Sequence, residues 1–330
     1  MWPELFTIPL LGLPLRSFGL LVAAGFLVGV AMGSKLAGRY GADRRHDGER
    51  FAEVSWWVLI GVILGARLAF VLVNLDHYRQ HPGNILKVWE GGLVMYGGLI
   101  LAVTLGVWKA KRLGMPGWQS LDYGLTAGFL GQAIGRIGCF MVGDDYGAPT
   151  DLPWAVTFPD PLPAGSAFAP ELVGVPVHPA QFYMSAKALA LFLLGLWLLK
   201  NKRFHGQVAL LLIMGYAVLR FLVEFTRFDM TARGGWFREG LDPASVNAKL
   251  AEMGVAAPGG RITDLERYRE LLREGVEGVY PVLVLSTSQI VAIVTFVLAA
   301  AGLLVLRRVS ALRVGPHWPP APETEPQAAA

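Results

Sequence analysis

The chain has 330 residues, of which 54% are hydrophobic and only 16% are charged. Soluble domains carry about 25% charged residues, so this composition excludes an ordinary soluble protein and indicates a membrane protein. The net charge of +4 does not predict nucleic-acid binding, because the basic residues fall in short segments between apolar runs. The single cysteine, Cys139, excludes an intrachain disulfide and a cysteine-rich metal site.

Apolar stretches long enough to cross a bilayer follow one another along the chain. A spanning helix needs about 20 largely apolar residues, and about seven stretches meet this requirement. The sequence therefore predicts an all-α integral membrane protein, a bundle of about seven transmembrane helices with a periplasmic head or arm region. The first residues lack the basic region of a signal peptide, so we expect no cleaved leader. The predicted spans are 17–34, 52–73, 92–108, 119–141, 179–199, 208–227 and 287–306.

The loops between the predicted spans alternate in charge. Those that follow the first, third, fifth and seventh spans are basic, whereas residues 143–178 contain no lysine or arginine. Basic loops of this length are retained in the cytoplasm. The pattern therefore predicts an N-terminus outside the membrane and a C-terminus in the cytoplasm.

Two predicted outer segments are too long to be simple turns. Residues 142–178 are acidic and rich in proline and glycine. Residues 228–286 have helix signals, a cap at Asp242 and a capping box of Thr263 with Glu266, which predict either a surface subdomain or an amphipathic arm on the membrane. The expected domains are helices one to six with the acidic loop (1–227), the partly helical insertion (228–286), the last span with its basic end (287–314) and a disordered cytoplasmic tail (315–330).

Charged side chains inside the predicted spans are the strongest functional signal. Such a charge costs about 2.5–3.5 kcal/mol at the centre of a span, so it is kept where it has a partner or a function. Arg220 and Glu224 are four residues apart and share a helix face, which favours an ion pair. Arg136 lies in the fourth predicted span, and Arg67 is close enough to the end of its span to extend towards the interface.

The intramembrane charges fall at one depth when they are counted from the outer ends of their spans. Tyr96 lies at the same level, and His178, Gln181 and Tyr183 enter the fifth span from that side. We therefore expect a single cavity that opens outward. Guanidinium groups bind phosphate in a bidentate manner and stay ionised, which favours an anionic phospholipid headgroup as ligand. Asp144, just outside, is placed to orient an arginine or to accept a proton.

Six short motifs are distributed over nearly the whole chain. They are LRSFGL (15–20), GARL (65–68), YGGLI (96–100), GRIGCF (135–140) continuing to Asp144 and Gly147, HPAQFY (178–183), and the stretch from Tyr216 through RFLVEF (220–225). Each motif is weak alone, but together they resemble those of the bacterial prolipoprotein diacylglyceryl transferase family.

This resemblance implies an enzyme of the bacterial inner membrane that needs no cofactor. It would move the diacylglyceryl group of phosphatidylglycerol onto the lipobox cysteine thiol of preprolipoprotein signal peptides, with membrane lipids rather than nucleic acid as its other partners. Arg136 and Arg220 would hold the phosphate, and Glu224 would orient Arg220. The catalytic positions implied are Arg136, Arg220, Tyr96 and Asp144, and the substrate-binding positions are Arg67, Glu224, Gly97, Gly98, Gly138, Cys139, Gly147, Phe18, His178, Gln181 and Tyr216.

The chain departs from the family pattern at several positions. Tyr96 stands where the family usually has a histidine, Cys139 replaces an asparagine, Asp144 a glutamate and Phe18 a tyrosine. A tyrosine with a pKa near 10 is a weak base at neutral pH. The general base is therefore open among Tyr96, Asp144, His178 and proton loss assisted by the substrate.

Four other functions fit an arginine-bearing membrane bundle. They are a paralogue with a different acceptor, a lipid-binding relative without turnover, a lipid transporter or scramblase, and a scaffold in which the arginines form packing pairs. Transporters often contain internal repeats with paired broken helices, whereas this sequence has no clear repeat and its polar residues lie to one side of the midplane. The sequence therefore favours the transferase.

Overall fold

The computed structural model describes residues 2–8, 13–86, 92, 94–228, 235–237, 283–315 and 318. The helix signals predicted within the insertion and most of the predicted tail lie outside these ranges, so those predictions stay untested. The helices are α1 (Ser17–Tyr40), α2 (Asp47–Val73), α3 (Leu75–Gln80), α4 (Met95–Arg112), α5 (Gly117–Val142), α6 (Ala180–Asn201), α7 (Gln207–Glu224) and α8 (Thr287–Leu306), and the strands are β1 (Glu4–Ile8), β2 (Leu13–Arg16), β3 (Gly235–Phe237) and β4 (Leu283–Ser286).

Six of these helices, namely α1, α2, α5, α6, α7 and α8, are long and apolar enough to cross a membrane. They coincide with six of the seven predicted spans. The remaining predicted span, 92–108, forms α4, whose last turn carries Lys109, Lys111 and Arg112. Those charges make α4 less apolar than the other six helices. The chain is therefore a mostly helical, multi-pass membrane protein, as its composition predicted.

The exposed surfaces of the long helices are apolar. In α8, for example, Leu298 is 66% exposed and Val305 is 62% exposed. In water such a surface would be unfavourable, but lipid satisfies apolar side chains while the helix satisfies its own backbone. The exposed leucine and valine side chains therefore belong against the hydrocarbon core.

The chain divides into two compact units. The first unit comprises Met1–Phe26, Phe129–Leu194 and Leu210–Val305, and the second comprises Leu27–Gly128, Gly195–Ala209 and Leu306–Ala330. The first unit also contains two antiparallel two-stranded sheets, β1 with β2 and β3 with β4. The sequence analysis did not predict these short strands.

The acidic segment of the first unit, residues 142–178, has an apolar core of its own. Phe158, Phe168, Leu172 and Val177 are all buried and pack together. Backbone hydrogen bonds between Val156 and Val177 hold the segment closed. The segment is therefore an ordered cap whose folded shape fixes the turn that follows α5.

The second unit contains a close approach of α2 and α4. A Cβ added to Gly65 would lie 2.6 Å from Leu101 Cβ and would overlap the carbonyl oxygen of Gly97. Small residues of this kind allow helix backbones to meet in lipid. This contact explains Gly97 as a packing residue without requiring that it bind a ligand.

Candidate active site

The carboxylate of Asp145 binds two guanidinium groups in the first unit. Arg136 of α5 donates from Nη1 to one carboxylate oxygen. Arg227, three residues beyond α7, donates from Nη2 to the other oxygen at 2.6 Å. Asp145 has φ 58°, a left-handed conformation that disfavours most side chains by about 1–2 kcal/mol and that Asp tolerates better than most. The strained turn thus directs one carboxylate to two arginines.

The sequence after α5 explains how this turn forms. The N–H groups of Gly143 and Asp144 both donate to the carbonyl of Cys139, at 2.9 and 3.0 Å. Gly143 has φ +81°, which is the usual glycine ending of a helix. The Asp144 carboxylate then accepts the N–H of Asp145 at 2.8 Å. Asp144 was predicted to orient an arginine, but its carboxylate caps the turn and the neighbouring Asp145 makes the arginine contacts.

Gly147 lies where three segments of the first unit meet. It pairs with Arg227 in an isolated bridge, while the N–H of Ala148 donates to Thr226 at 2.8 Å and the N–H of His178 donates to Ala148 at 2.9 Å. A Cβ on Gly147 would overlap the carbonyl of His178 and lie 2.8 Å from that of Thr226. Gly147 is therefore required for this approach, which places Arg227 beside Asp145.

A second ion pair joins α7 to the start of α8. Arg220 pairs with Glu224, which confirms the pairing predicted from their spacing. Glu224 is fully buried, and its other oxygen accepts the hydroxyl of Ser286 at 2.7 Å. Arg220 also donates to the hydroxyl of Ser288 at 2.9 Å. The guanidinium of Arg220 is therefore held in one orientation by two helices.

Lys187 lies on α6, a helix that contacts the elements carrying both groups of ion pairs. It is only 6% exposed, and its ammonium lies 4.2 Å from the centre of the Tyr216 ring. On the same part of α6, Met184 Sδ lies 3.9 Å from Arg227 Nη1, and the hydroxyl of Ser185 donates to the Ala133 carbonyl of α5 at 2.7 Å. The three arginines with Asp145, Glu224 and Lys187 therefore form one group, which we call the arginine cluster.

The cluster lies at a similar depth on each of the helices that carry it. At a rise of 1.5 Å per residue, Lys187 is about 10 Å from the start of α6, Arg136 about 9 Å from the end of α5 and Arg220 about 6 Å from the end of α7. All three helix ends are on the side of the acidic segment. Arg136, Arg220 and Glu224 thus lie at a similar depth in the first unit, and their predicted convergence with Arg67 and Tyr96 on one cavity stays a prediction.

Three further predicted residues of the first unit lie where α5 approaches α1. A Cβ on Gly138 would lie 3.4 Å from Phe18 Cα, so Gly138 permits close packing. Phe18 itself is 42% exposed. The thiol of Cys139 is buried and accepts a weak hydrogen bond from Arg136 Nη1 at 3.8 Å. Cys139 is therefore a contact of the arginine cluster.

His178 and Gln181 lie at the beginning of α6. His178 Nδ1 is 3.3 Å from the hydroxyl of Tyr183, which also accepts Trp154 Nε1 at 2.7 Å. Partial burial lowers the pKa of His178, so its ring is neutral at pH 7 and able to accept a proton. Gln181 donates to the Asp144 carbonyl at 2.8 Å, and in the described part of the chain its buried Oε1 has no hydrogen-bond partner.

Arg67 belongs to the second unit. It is buried and donates to the backbone carbonyls of Asn84, Ile85 and Gly92 at 2.6, 2.8 and 3.1 Å. The sequence allowed Arg67 to extend towards the interface. In the structure its guanidinium instead binds and orders the segment that follows α3.

Tyr96, Gly97 and Gly98 also belong to the second unit, in the first turn of α4. Gly98 contacts α2, since a Cβ there would lie 2.9 Å from the Val62 carbonyl oxygen. That these residues share one cavity with Arg136 and Arg220 stays a prediction.

An apolar groove lies among α6, α7 and α8 in the first unit. Its volume is about 380 Å³, which suits a hydrocarbon chain rather than a polar ligand. Leu191 follows Lys187 by one helical turn, and Leu219 directly precedes Arg220, so the groove begins beside the arginine cluster. Its lining residues are Ala190, Leu191, Leu194, Met214, Gly215, Val218, Leu219 and Phe296.

The sequence analysis missed four residues of the cluster and its immediate support. Lys187 carries the same signal that identified Arg136, a single charge within an apolar span, but the high mean hydropathy of α6 concealed it. Asp145 was passed over for its neighbour. Arg227 and Ser286 reach the cluster through contacts far apart in the chain, which no local pattern reveals.

Comparison with known proteins adds an independent observation. A family model described as prolipoprotein diacylglyceryl transferase matches residues 3–305. A phosphatidylglycerol–prolipoprotein diacylglyceryl transferase of Thermosynechococcus vestitus is 34% identical over 67% of this chain and 80% of its own length. Proteins of the same name from Geobacter sulfurreducens and Pseudomonas paraeruginosa are 36% and 38% identical, over 65% and 58% of this chain and 78% and 70% of their own lengths.

Proposed function

The chain belongs to the prolipoprotein diacylglyceryl transferase family, and from this premise we propose that it transfers the diacylglyceryl group of phosphatidylglycerol to the lipobox cysteine thiol of prolipoproteins. The names of its relatives give both substrates. The observation that carries the proposal is the arginine cluster, in which ion pairs hold Arg136 of α5 and Arg220 of α7 at a similar depth on the side of the acidic segment. Such a site fits one phosphate group.

The reaction exchanges one bond for another. The thiol sulfur attacks the diacylglyceryl carbon that carries the phosphate, a carbon–sulfur bond forms, the carbon–oxygen bond breaks and glycerol phosphate leaves. The phosphate changes from a monoanion to a dianion as it leaves. Fixed guanidinium groups stabilise this growing charge more in the transition state than in the ground state, and Arg136 and Arg220 would serve this purpose.

The thiol must lose its proton for the attack to be fast. A thiol with a pKa near 8.5 is only a few per cent thiolate at pH 7. His178 is neutral, since burial lowers its pKa, and it enters α6 on the same side as the cluster. Asp144 and Tyr96 are the other candidate bases, and solvent or the substrate phosphate is the remaining proton acceptor.

The apolar groove among α6, α7 and α8 supports a lipid donor. One acyl chain would lie along Leu191 and Leu219, while the headgroup phosphate meets Arg220. This placement keeps the hydrocarbon in an apolar setting and brings only the polar part of the lipid to the charges.

The proposed location is the bacterial cytoplasmic membrane, with the N-terminus in the periplasm and the C-terminus in the cytoplasm. The basic loops after the odd-numbered predicted spans support this orientation. Signal peptides of prolipoproteins would then meet the arginine cluster from the outer leaflet, on the side of the acidic cap.

The test is a transfer assay with the purified protein. Phosphatidylglycerol and a lipobox peptide are incubated with the protein, and thioether-linked diacylglyceryl peptide and released glycerol phosphate are measured. We expect product with the wild-type protein, none with Arg136→Ala or Arg220→Ala, and less with Tyr96→Phe. Because each arginine would stabilise a charged transition state, its loss should reduce the rate about 10²–10³-fold or more.

Two outcomes would contradict the proposal. Product that is unchanged in both arginine variants would remove the phosphate clamp. Tight binding of phosphatidylglycerol without any product would indicate the lipid-binding relative instead. Arg203→Ala serves as the matched control, because Arg203 is exposed and belongs to the basic loop after α6.

A further inference from the structure

Lys187 is a buried charge in the middle of an otherwise apolar stretch of α6. The helix reads AQFYMSAKALALFLLGLWLLKN, and the lysine is only 6% exposed. A lysine within a span usually extends to the interface or pairs with an acid, because the isolated charge is unfavourable in lipid. The position of Lys187 therefore calls for an electrostatic explanation.

No carboxylate in the described part of the chain forms an ion pair with Lys187. Among the described residues, no carboxylate lies within 4.0 Å of its ammonium. Asp145 is bound to Arg136 and Arg227, and Glu224 is bound to Arg220. The Tyr216 ring contacts the ammonium, but a cation–π contact offsets only part of the loss of hydration.

The arginine cluster consequently carries an excess of positive charge. Its three arginines and a protonated Lys187 would contribute four positive charges, whereas Asp145 and Glu224 contribute two negative ones. Even when the exposed carboxylate of Asp144 is counted, one positive charge is in excess. A bound anion would balance such an excess and keep the ammonium of Lys187 charged.

We propose that Lys187 is a phosphate-binding residue of the active site, whose ammonium contacts the phosphate of the lipid donor and, more strongly, that of the departing glycerol phosphate. This inference rests on the proposed function. An excess of one to two charges matches a phosphate that passes from monoanion to dianion as the carbon–oxygen bond breaks. The compact ammonium, unlike the paired guanidinium groups, is available to follow the leaving oxygen.

The kinetic test compares Lys187→Met with Lys187→Arg. Methionine retains the apolar length of the side chain without its charge, so we expect kcat/KM for phosphatidylglycerol to fall about tenfold or more, the effect of losing one hydrogen bond to a charged group. The inhibition constant of added glycerol phosphate should rise by at least the same factor. Arginine should restore part of both. Lys200→Met, at the exposed end of the same helix, should change neither.

A second measurement separates ligand binding from a structural role. Thermal unfolding is followed for wild type and Lys187→Met in phosphatidylcholine nanodiscs, alone, with glycerol phosphate, with inorganic phosphate, or with phosphatidylglycerol in the bilayer. We expect ligand-free Lys187→Met to be at least as stable as wild type, because an unpaired buried charge has been removed. We also expect it to lose the stabilisation given by glycerol phosphate and by phosphatidylglycerol.

The ligands added in the unfolding experiment distinguish a lipid phosphate from a free phosphate. Together with the transfer assay they also test the role of Lys187 separately from the proposed function. Inorganic phosphate could stabilise wild type but not Lys187→Met, while glycerol phosphate and phosphatidylglycerol stabilise neither protein. That result would mean that Lys187 binds free phosphate, and it would overturn the assignment of Lys187 to the lipid donor. A lower ligand-free Tm in Lys187→Met, with unchanged inhibition and stabilisation by glycerol phosphate, would overturn phosphate binding. Wild-type protein that forms no product would overturn the proposed function, whereas the unfolding arm would still decide whether Lys187 binds the phosphate.

Discussion

At the scale of single residues, the site depends on one aspartate in an unfavourable conformation. Asp145 holds φ 58° because both of its carboxylate oxygens are engaged by arginines, one of which is almost fully buried. Those ion pairs favour the left-handed turn together with the Asp144 carboxylate, which accepts the N–H of Asp145. The ion pairs with Arg136 and Arg227 thus offset the energetic cost of the turn, and the turn in turn fixes the positions of both arginines.

Replacing Asp145 by asparagine tests this dependence. Asparagine tolerates the left-handed conformation and keeps the shape, so Asp145→Asn removes only the charge. We expect a free energy of unfolding lower by about 3 kcal/mol, since buried Arg227 loses its counter-charge, and a transfer rate at least tenfold lower. Thermal unfolding in detergent and the transfer assay measure the two effects. Asp151→Asn, an exposed change in the same segment, is the control, and equal behaviour of both variants would contradict the role of Asp145.

The sequence predicted individual site residues only where their contacts are local or where a charged side chain within a span is energetically unfavourable. The i, i+4 spacing was enough to predict the ion pair of Arg220 with Glu224. The cost of placing a charge within a span was enough to identify Arg136. Asp144 and Asp145 are adjacent and chemically alike, so only the glycine turn at Gly143 decides which carboxylate meets an arginine. That choice depends on backbone geometry, which composition and periodicity do not encode.

At the scale of elements, the length of each apolar stretch predicted the helices well. Charged residues near the helix ends account for the bounds that differ from the prediction. α8 has the bounds predicted for it, Thr287–Leu306. α1 continues to Tyr40, six residues beyond the prediction, because Lys35 and Arg39 extend a helix into the headgroup region as readily as apolar residues extend it through the core. α2 begins at Asp47 rather than at residue 52, with acidic residues in its first turn, which the helix dipole favours.

The contact between α2 and α4 gives a prediction at the scale of helix pairs. Gly65→Ala should lower the stability by about 1–3 kcal/mol, because the new methyl group overlaps the backbone of α4. Gly128→Ala in α5 is the matched control, since nothing lies within 4 Å of a Cβ there, and alanine should stabilise that helix by up to about 1 kcal/mol. Unfolding of both variants in detergent measures the difference. Equal loss of stability in the two variants would show that α2 and α4 do not meet through Gly65.

At the scale of the whole molecule, a buried polar network in the second unit couples stability to pH. Lys202 pairs with Asp122, and neither side chain is exposed. His205 Nδ1 lies 3.1 Å from the Lys202 ammonium, and Trp318 lies over the same ammonium and edge-on to His205. Burial and the Lys202 charge lower the pKa of His205. The network thus requires a neutral His205.

The sign of the pH effect follows from the lowered pKa. An unfolded histidine takes up a proton near pH 6.5, whereas folded His205 does so only at lower pH, so the unfolded state gains protons first and stability is lost as pH falls below about 6.5. We expect Tm to fall between pH 7 and pH 5 more steeply in wild type than in His205→Asn, whose amide oxygen can still accept from Lys202. Parallel Tm curves for the two proteins would contradict this account.

The orientation of the whole chain is the last prediction, and the single cysteine makes it testable. Cys139 is buried, so Cys139→Ser removes background labelling and leaves a hydroxyl to accept from Arg136. On this background, Asp151→Cys lies in the acidic cap and Lys111→Cys lies in the basic last turn of α4, both at exposed positions. Because basic loops stay in the cytoplasm, we expect a membrane-impermeant maleimide to label residue 151 in intact spheroplasts and residue 111 only after permeabilisation. The reverse pattern would place the arginine cluster on the cytoplasmic side, where translocated signal peptides could not reach it, and would contradict both the orientation and the proposed acceptor.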